Sequence, residues 1–412
     1  MSDVMSSAGS HVTTPLAGGV TAPAGFTSAA VHCGIKSTPG ALDLAVLAAD
    51  GPVSMAGLFT TNLAQAAPVL VSKRHLDVTG GIGRAIVVNS GCANACTGAE
   101  GLANAITMAA EAAADLGCEP AQVLVASTGV IGVGLKIDRV VSGIRQACAM
   151  LARGRGADAA RAIMTTDPFP KEHAVQVVTA AGTYSIGGMA KGAGMIEPNM
   201  ATMIGFLTTD AQVSPALLRR ALKESARDTF NAITVDGESS TNDSLFAMAS
   251  GASGVTVTDD LYPAFLDGLL NVSRHLALGI VRGGEGATRV IAVTVRDARS
   301  ADAARQVART IANSPLVKTA VHGADPNWGR IVAAAGRAGV AFDIDRLTVR
   351  VGGVLLFEHG LPHDEAAPLA AEVFTRDTVD VELSLGAGGE SATIWGCDLS
   401  AEYVRINGEY RT

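Results

Sequence analysis

A threonine that follows a glycine-rich, proline-containing loop and opens an apolar run admits two readings: an ordinary β-branched residue at the head of a strand, or a nucleophile that cuts its own chain. The segment reads Lys191-Gly-Ala-Gly-Met-Ile-Glu-Pro-Asn-Met-Ala201-Thr202-Met-Ile-Gly-Phe-Leu-Thr-Thr-Asp210. Glycine admits unusual dihedrals and proline restricts its predecessor, so the first half is irregular. The second half reads as a buried strand from Thr202 to Thr208. Small Ala201 leaves the Thr202 hydroxyl room to reach the preceding carbonyl. Attack there turns the peptide into an ester that water opens, and the second piece then begins with Thr202. Its free α-amine, with a reference pKa of about 7.7 to 8.0, can serve as general base for its own hydroxyl. One residue then supplies both nucleophile and base. The same residue type also suits the first position of any strand, because a β-branched side chain fits the pleat.

Acyl-transfer chemistry needs donors aimed at the developing oxyanion, each worth roughly 3 to 4 kcal/mol where measured. Val123 to Ala126 reads as a strand, and the Ser127-Thr128-Gly129 turn after it presents a hydroxyl and a backbone N–H together. An ordinary glycine turn has the same signature. Lys191, a lysine among glycines, reads by itself as a solvated surface charge; placed beside Thr202, such a cation would favour the deprotonated amine and could hold a substrate carboxylate. Glu285, in Gly283-Gly-Glu-Gly286, has an unobstructed carboxylate suited to an ammonium group or to a polar cap. The acidic run Asp236 to Asp243 lacks the glutamate spacing of a calcium loop and reads as a structural turn with polar side chains near the active site. No dinucleotide fingerprint or Walker loop is present. The six cysteines lack paired zinc spacing, so no metal and no cofactor is expected.

Apolar spacing supplies the elements that must position these groups. Leu42 to Ala49 and Arg84 to Val88 read as strands, whereas Glu100 to Leu116 and Ile137 to Leu151 have helical spacing. A hairpin is expected around Val175 to Met189, with helices near Pro215 to Asp228 and Leu261 to Val281. Strands at Val290 to Val295 and Leu347 to Glu358 and helices at Ala303 to Ala312 and Glu365 to Phe374 complete the alternation. At least the first dozen residues read as a mobile tail. With 412 residues, 48% apolar but only 4% aromatic, and 47 glycines, the core must pack Ala, Val, Ile and Leu closely. That favours layered α/β structure with mixed or antiparallel sheets. A boundary is placed at residue 290, dividing residues 1–290 from a smaller unit of residues 291–412. A net charge of -8 without basic clusters argues against nucleic acid. No run reaches the roughly 20 uninterrupted apolar residues of a membrane helix, and the N-terminus suits neither a secretory nor a transit signal, so a cytoplasmic protein is expected.

The Lys191 to Ala211 stretch closely resembles the self-cleavage motif of the ornithine acetyltransferase family. The resemblance runs from Gly19 to the C-terminus, through Gly57-Leu-Phe-Thr-Thr-Asn62, Asn94-Ala-Cys-Thr-Gly98, Ser127-Thr-Gly-Val-Ile-Gly132 and Ile163-Met-Thr-Thr-Asp167. Further blocks are Ser240-Thr-Asn-Asp243, Gly284-Glu-Gly-Ala-Thr288, Ser314 to Ala320 and Asp325-Pro-Asn-Trp-Gly-Arg330. It implies an αββα sandwich cut between Ala201 and Thr202 into chains 1–201 and 202–412, assembled as α2β2. It implies acetyl transfer from N-acetylornithine to glutamate through acetyl-Thr202, with Thr128 and Gly129 as the oxyanion hole. Thr165 (in competition with Thr166), Lys191, Glu285, Asn407 and Thr412 match the family's substrate contacts. Acetyl-CoA as a second donor stays open. Cys92, where the family often has Asn, and Ala324, where a basic residue is common, leave room for a paralogue with another acceptor. A self-processed threonine amidase or peptidase is the competing reaction class.

Overall fold

The computed structural model describes residues 11–197 and 203–409. In chain order the first part comprises β1 (Val12–Leu16), β2 (Phe26–Val31), β3 (Leu44–Phe59), α1 (Ala67–Thr79), β4 (Ile82–Cys92), α2 (Gly98–Leu116), β5 (Val123–Val130), α3 (Ile137–Ala149) and α4 (Gly156–Ala162). It continues through β6 (Lys171–Thr179), β7 (Gly182–Lys191), β8 (Ile204–Thr209), α5 (Pro215–Arg227), β9 (Ser244–Ala249) and α6 (Tyr262–Arg282). The remainder holds β10 (Val290–Ala298), α7 (Ala301–Ala312), α8 (Pro315–His322), α9 (Trp328–Gly336), β11 (Thr348–Val351), β12 (Val354–Glu358) and β13 (Leu361–Pro362). It ends with α10 (Ala367–Val373), β14 (Thr378–Ser384), β15 (Glu390–Cys397) and α11 (Ala401–Glu409).

Nine strands form one hydrogen-bonded network in the order β1-β6-β7-β8-β9-β3-β4-β5, with β2 also on β3. Strand β3 joins its two halves. Leu44 to Ala48 pair with β2 and β4; after a register shift, Ser54 to Phe59 pair with β9. Strand side chains alternate between faces, and the core records where each face goes. Ala45, Leu47, Ala49 and Met55 of β3 join Ile86, Val88, Leu124 and Ala126 of β4 and β5, and meet Ile204, Phe206, Phe246 and Met248 of β8 and β9. The opposite faces of β3, β4 and β5 pack on α1, α2 and α3. Those of β6 to β9 pack on α5 and α6. The result is an α/β fold with helix, sheet, sheet and helix layers, the αββα sandwich of mixed sheets that the resemblance implies.

Each outer helix shows why it lies where it does. In α2, Ala105, Met108, Ala109, Ala112 and Ala113 are buried at helical spacing, and their small size lets the helix sit close to the sheet. Helix α6 is long and apolar enough by length and composition to cross a membrane, and its apolar face, including Phe265, Leu269, Val272 and Leu276, is buried in the core. From Val290 a second, six-stranded sheet runs β13-β12-β11-β14-β10-β15. Ile291, Val293 and Val295 face Ala304, Val307, Ala308 and Ile311 of α7.

Several elements differ from expectation. Leu347 to Glu358 is two antiparallel strands, because Gly352 and Gly353 both take positive φ and reverse the chain. The stretch 44–59 is one long strand rather than one ending at Ala49. Val12 already pairs with Val178, within the dozen residues expected to form a tail, of which residues 1–10 lie outside the described ones. The strand expected from Thr202 begins, among the described residues, at Ile204.

Candidate active site

Thr128 and Gly129 do not form a turn after β5; they lie inside its last residues, paired in parallel with β4. The pairing is irregular at Cys92, which faces both Thr128 and Val130. Gly129 has φ +127, and a Cβ there would stand 2.6 Å from the Cys92 nitrogen. Only glycine lets the two backbones approach in this way. The strand end is fixed from outside by Asn242, whose amide donates to Ala93 O at 2.6 Å and to Ser127 O at 2.9 Å. The Ser127 hydroxyl donates to Asn89 Oδ1 at 2.6 Å, and Asn89 donates to Cys92 O at 2.9 Å. All of these groups are buried, so each bond satisfies a polar atom that water cannot reach.

Lys191, the last residue of β7, brings its ammonium to Thr165 Oγ1 at 2.9 Å and Thr128 Oγ1 at 3.4 Å. Asp167 Oδ2 is 4.0 Å away. Thr165, just past α4, is therefore in direct contact with Lys191, and Thr166 shares the same cavity wall. The side chain of Asp167 is fully buried and accepts from Lys171 Nζ and Gly192 N, both at 2.7 Å, and from Thr165 N at 3.0 Å. Burial alone pushes its carboxyl up, but the Lys191 and Lys171 ammonium groups and these hydrogen bonds outweigh it and hold the pKa at about 2. Lys171 is pulled down by burial, against the attraction of Asp167. Asp167 thus supplies a fixed negative charge that anchors the lysine facing the cavity.

The opposite side is built by the C-terminal end of α6 and by α11. Glu285 is buried; its backbone N donates to Ala193 O at 2.8 Å, and its Oε2 accepts from Asn407 Nδ2 at 2.8 Å. Gly194 makes the approach possible, since a Cβ at that position would lie 2.7 Å from Glu285 Oε1. Tyr403, one turn before Asn407, donates to Asp236 Oδ2 at 3.3 Å. Burial and the carboxylates of Asp236, Glu285 and Glu238 push its phenol well above the usual range, so it remains a neutral donor. Asp236 also accepts from Met195 N at 2.6 Å and Ile196 N at 2.8 Å, with Met195 at φ +56.

These groups surround one cavity of about 140 Å3. Thr128, Gly129, Thr165, Lys191, Glu285 and Asn407, all expected from the sequence, line it together, as do Met203 and Ile204 of the chain that follows Thr202. Ala201, Thr202 and Thr412 lie outside the described residues. Sequence reasoning missed Asp167 and Tyr403, and it placed the polar turn that holds Asn242 near the site without giving that residue a role. The i, i+4 spacing of Asp167 and Lys171 is the one local signal that could have found the first. With a cation and hydroxyls on one wall and a carboxylate with an amide on the other, the cavity can hold a small polar molecule that carries charges of both signs. Among the described residues no group of His, Cys, Asp and Glu could hold a metal ion.

The ArgJ family model matches residues 27–412. The arginine biosynthesis bifunctional protein ArgJ of Symbiobacterium thermophilum is 50% identical over 403 residues, covering 96% of this chain and 99% of that protein. That of Dehalococcoides mccartyi is also 50% identical over 403 residues, covering 96% and 98%. Among solved structures, an ornithine acetyltransferase from Mycobacterium tuberculosis, complexed with ornithine, is 43% identical over 46% of this chain and 100% of that chain, with a TM-score of 0.43.

Proposed function

The chain belongs to the ArgJ family, and on that premise we propose that it is the acetyltransferase of arginine biosynthesis that moves acetyl from N-acetylornithine to glutamate. The observation that carries the reading is the convergence of Thr128, Gly129, Thr165, Lys191, Glu285 and Asn407 on one cavity that the residue after Thr202 also lines. In maturation, Thr202 Oγ adds to the Ala201 carbonyl carbon, the C–N bond breaks and the amine takes the proton. Water then hydrolyses the ester, leaving a carboxylate on Ala201 and a free threonine at 202. In transfer, the same oxygen attacks the acetyl carbonyl of N-acetylornithine, and the proton passes through the Thr202 amine to the departing ornithine nitrogen. Glutamate attacks the acetyl ester through its α-amine, N-acetylglutamate leaves, and Thr202 recovers its proton.

The Thr128 hydroxyl and the Gly129 N–H stabilise the oxyanion in both reactions. Lys191, in contact with Thr128 and Thr165, holds the amine of Thr202 unprotonated by charge repulsion and meets the substrate beside Thr165. Glu285 receives the substrate ammonium, and Asn407 with Thr412 its carboxylate. N-acetylornithine and glutamate share the α-carboxylate and differ in the tail, so one pocket serves both half-reactions. The mature enzyme is an α2β2 assembly of chains 1–201 and 202–412 in the cytoplasm, with residues 1–290 and 291–412 as its structural units and no cofactor.

Intact mass spectrometry of the purified protein tests the reading: two masses meeting at Ala201 and Thr202 are expected, and a Thr202→Ala chain stays whole. A trapped acetyl group on Thr202 and parallel-line kinetics complete the case. Acetate released at the same rate with and without glutamate assigns the amidase class instead. Acetyl transfer from acetyl-CoA in the absence of N-acetylornithine reports the second donor.

A further inference from the structure

Self-cleavage draws no alignment from a bound substrate; the two reacting atoms are placed by how the chain is held on either side of them. Downstream, Met203 O accepts from Ser244 N at 2.9 Å and Ile204 enters the sheet between β7 and β9. Upstream, the chain is held at successive residues. Ala193 O accepts from Glu285 N, the Asp236 carboxylate takes the N–H groups of Met195 and Ile196, and Ile196 O accepts from Val235 N at 2.7 Å. At the next residue the chain leaves the active-site cavity. Ile196 lines that cavity, whereas Glu197 lines a separate cleft with Arg305, Arg309 and Trp395.

There Glu197 Oε2 accepts from Asn313 Nδ2 and stands 3.1 Å from the Thr234 hydroxyl. The Arg309 guanidinium approaches Glu197 Oε1 at 3.8 Å. Arg309 is itself fixed, its Nη2 donating to Asn231 O at 2.6 Å, while its buried Nη1 has no hydrogen-bond partner among the described residues. Asn313 and Arg309 belong to the end of α7, so this carboxylate ties the approach to the junction to the second sheet's helix layer. Only Pro198, Asn199 and Met200 separate Glu197 from Ala201.

We infer that Glu197 is a positioning residue for the self-cleavage of this chain, acting through the backbone that leads to Ala201, and has no part in acetyl transfer. The inference rests on the reading of Thr202 as a self-liberated nucleophile. Its physical content is a split between two rates. Before the cut, a misplacement of about 1 Å at the junction slows attack by roughly 100-fold. After it, Ala201 is a chain end that no longer carries a reacting bond, so the tether ceases to matter.

The test follows full-length wild type, Glu197→Ala and Glu197→Gln after pulsed cell-free synthesis, reading precursor and fragments by gel and intact mass. Glu197→Ala is expected to mature at least about tenfold more slowly. Glu197→Gln, which keeps an acceptor for Asn313, recovers part of that loss. Once matured, both variants should exchange acetyl between N-acetylornithine and glutamate with wild-type kcat and KM. Maturation of both at the wild-type rate, or a changed KM in the matured variants, overturns the inference. A precursor of the wild type that never cleaves overturns instead the reading on which it rests. A general folding defect would lower both rates together and shift the thermal midpoint, which also counts against a positioning role.

Discussion

Replacing Asp167 by Asn removes a charge from the least accessible ion pair of the site while keeping its shape. The wild-type carboxylate faces Lys171 at 2.7 Å and Lys191 at 4.0 Å, and the Lys171 side chain is 2% exposed. In the variant the amide oxygen can still accept from Lys171, but among the described residues the other groups at this ammonium are the neutral Phe169 O at 3.4 Å and the Phe169 ring at 4.9 Å. Breaking a buried pair by removing one partner costs about 3–5 kcal/mol, because the other charge is left uncompensated. The carboxyl's own titration gives a lower figure. Its pKa falls from 3.8 to about 2 on folding, and at about 1.4 kcal/mol per unit this is worth about 2 kcal/mol. Since the folded value lies below the unfolded one, that contribution is fully present above about pH 4 and is lost as pH falls toward 2. Urea unfolding of wild type and Asp167→Asn at pH 7 should therefore differ by about 2–5 kcal/mol. The difference should stay level between pH 5 and 8 and narrow only in acid. A loss under about 1 kcal/mol at pH 7, or a difference that grows on acidification, would refute the argument that Asp167 is an ionised anchor.

Gly129→Ala places a methyl group against the β4 backbone, so β5 must shift; variant that still folds should lose about 100- to 1000-fold in kcat with little change in KM, read by steady-state kinetics. Asn242→Ala leaves Ala93 O and Ser127 O without their donor, and chemical denaturation should show a loss of about 1–3 kcal/mol. Asn407→Ala removes the amide on Glu285 and should raise KM for both amino-acid substrates several-fold with a smaller effect on kcat, since the contact orients substrate rather than the reacting bond.

The layers were legible because their signal is local. Helix α2 and the hairpin β6–β7 carry apolar residues at the period of the structure they form. What escaped was set by partners far along the chain. Asp50, Gly51 and Pro52 have turn chemistry, yet β3 continues past them because Val53 and Met55 keep facing the same inner core as Ala45 and Leu47. Helix α11 has no buried residue among those described, so no apolar stripe announces it, and Asn407 reaches Glu285 across 122 positions. For the site itself, Thr128, Lys191 and Glu285 are individually ordinary residue types, and only the family's ordered motifs singled them out. Asp236 reads in sequence as one acid in a polar turn, because the two N–H groups that define its use, those of Met195 and Ile196, lie far upstream.

The place of the proposed cut within the sheet leads to the last prediction. Lys191 pairs with Ile204, so the stretch between them connects two antiparallel neighbours, and opening it removes none of the ladder bonds between β7 and β8. Both β8 and β9 come from the downstream piece, yet they lie between β7 and β3 of the upstream piece. Pulling the pieces apart would strip β7 of β8 and β3 of β9 and expose Ile204, Phe206, Leu207, Leu245, Phe246 and Met248, all buried. At about 1.5–3 kcal/mol for each such side chain, these alone represent roughly 9–18 kcal/mol of gross burial, an upper estimate. That matches or exceeds the roughly 5–15 kcal/mol by which a whole domain is ordinarily stable, so the pieces cannot part without unfolding. Size-exclusion chromatography of the cleaved protein should give one species containing both pieces, resolved only in denaturant. Fragments that separate in native buffer would show that the downstream strands are not held inside the upstream sheet.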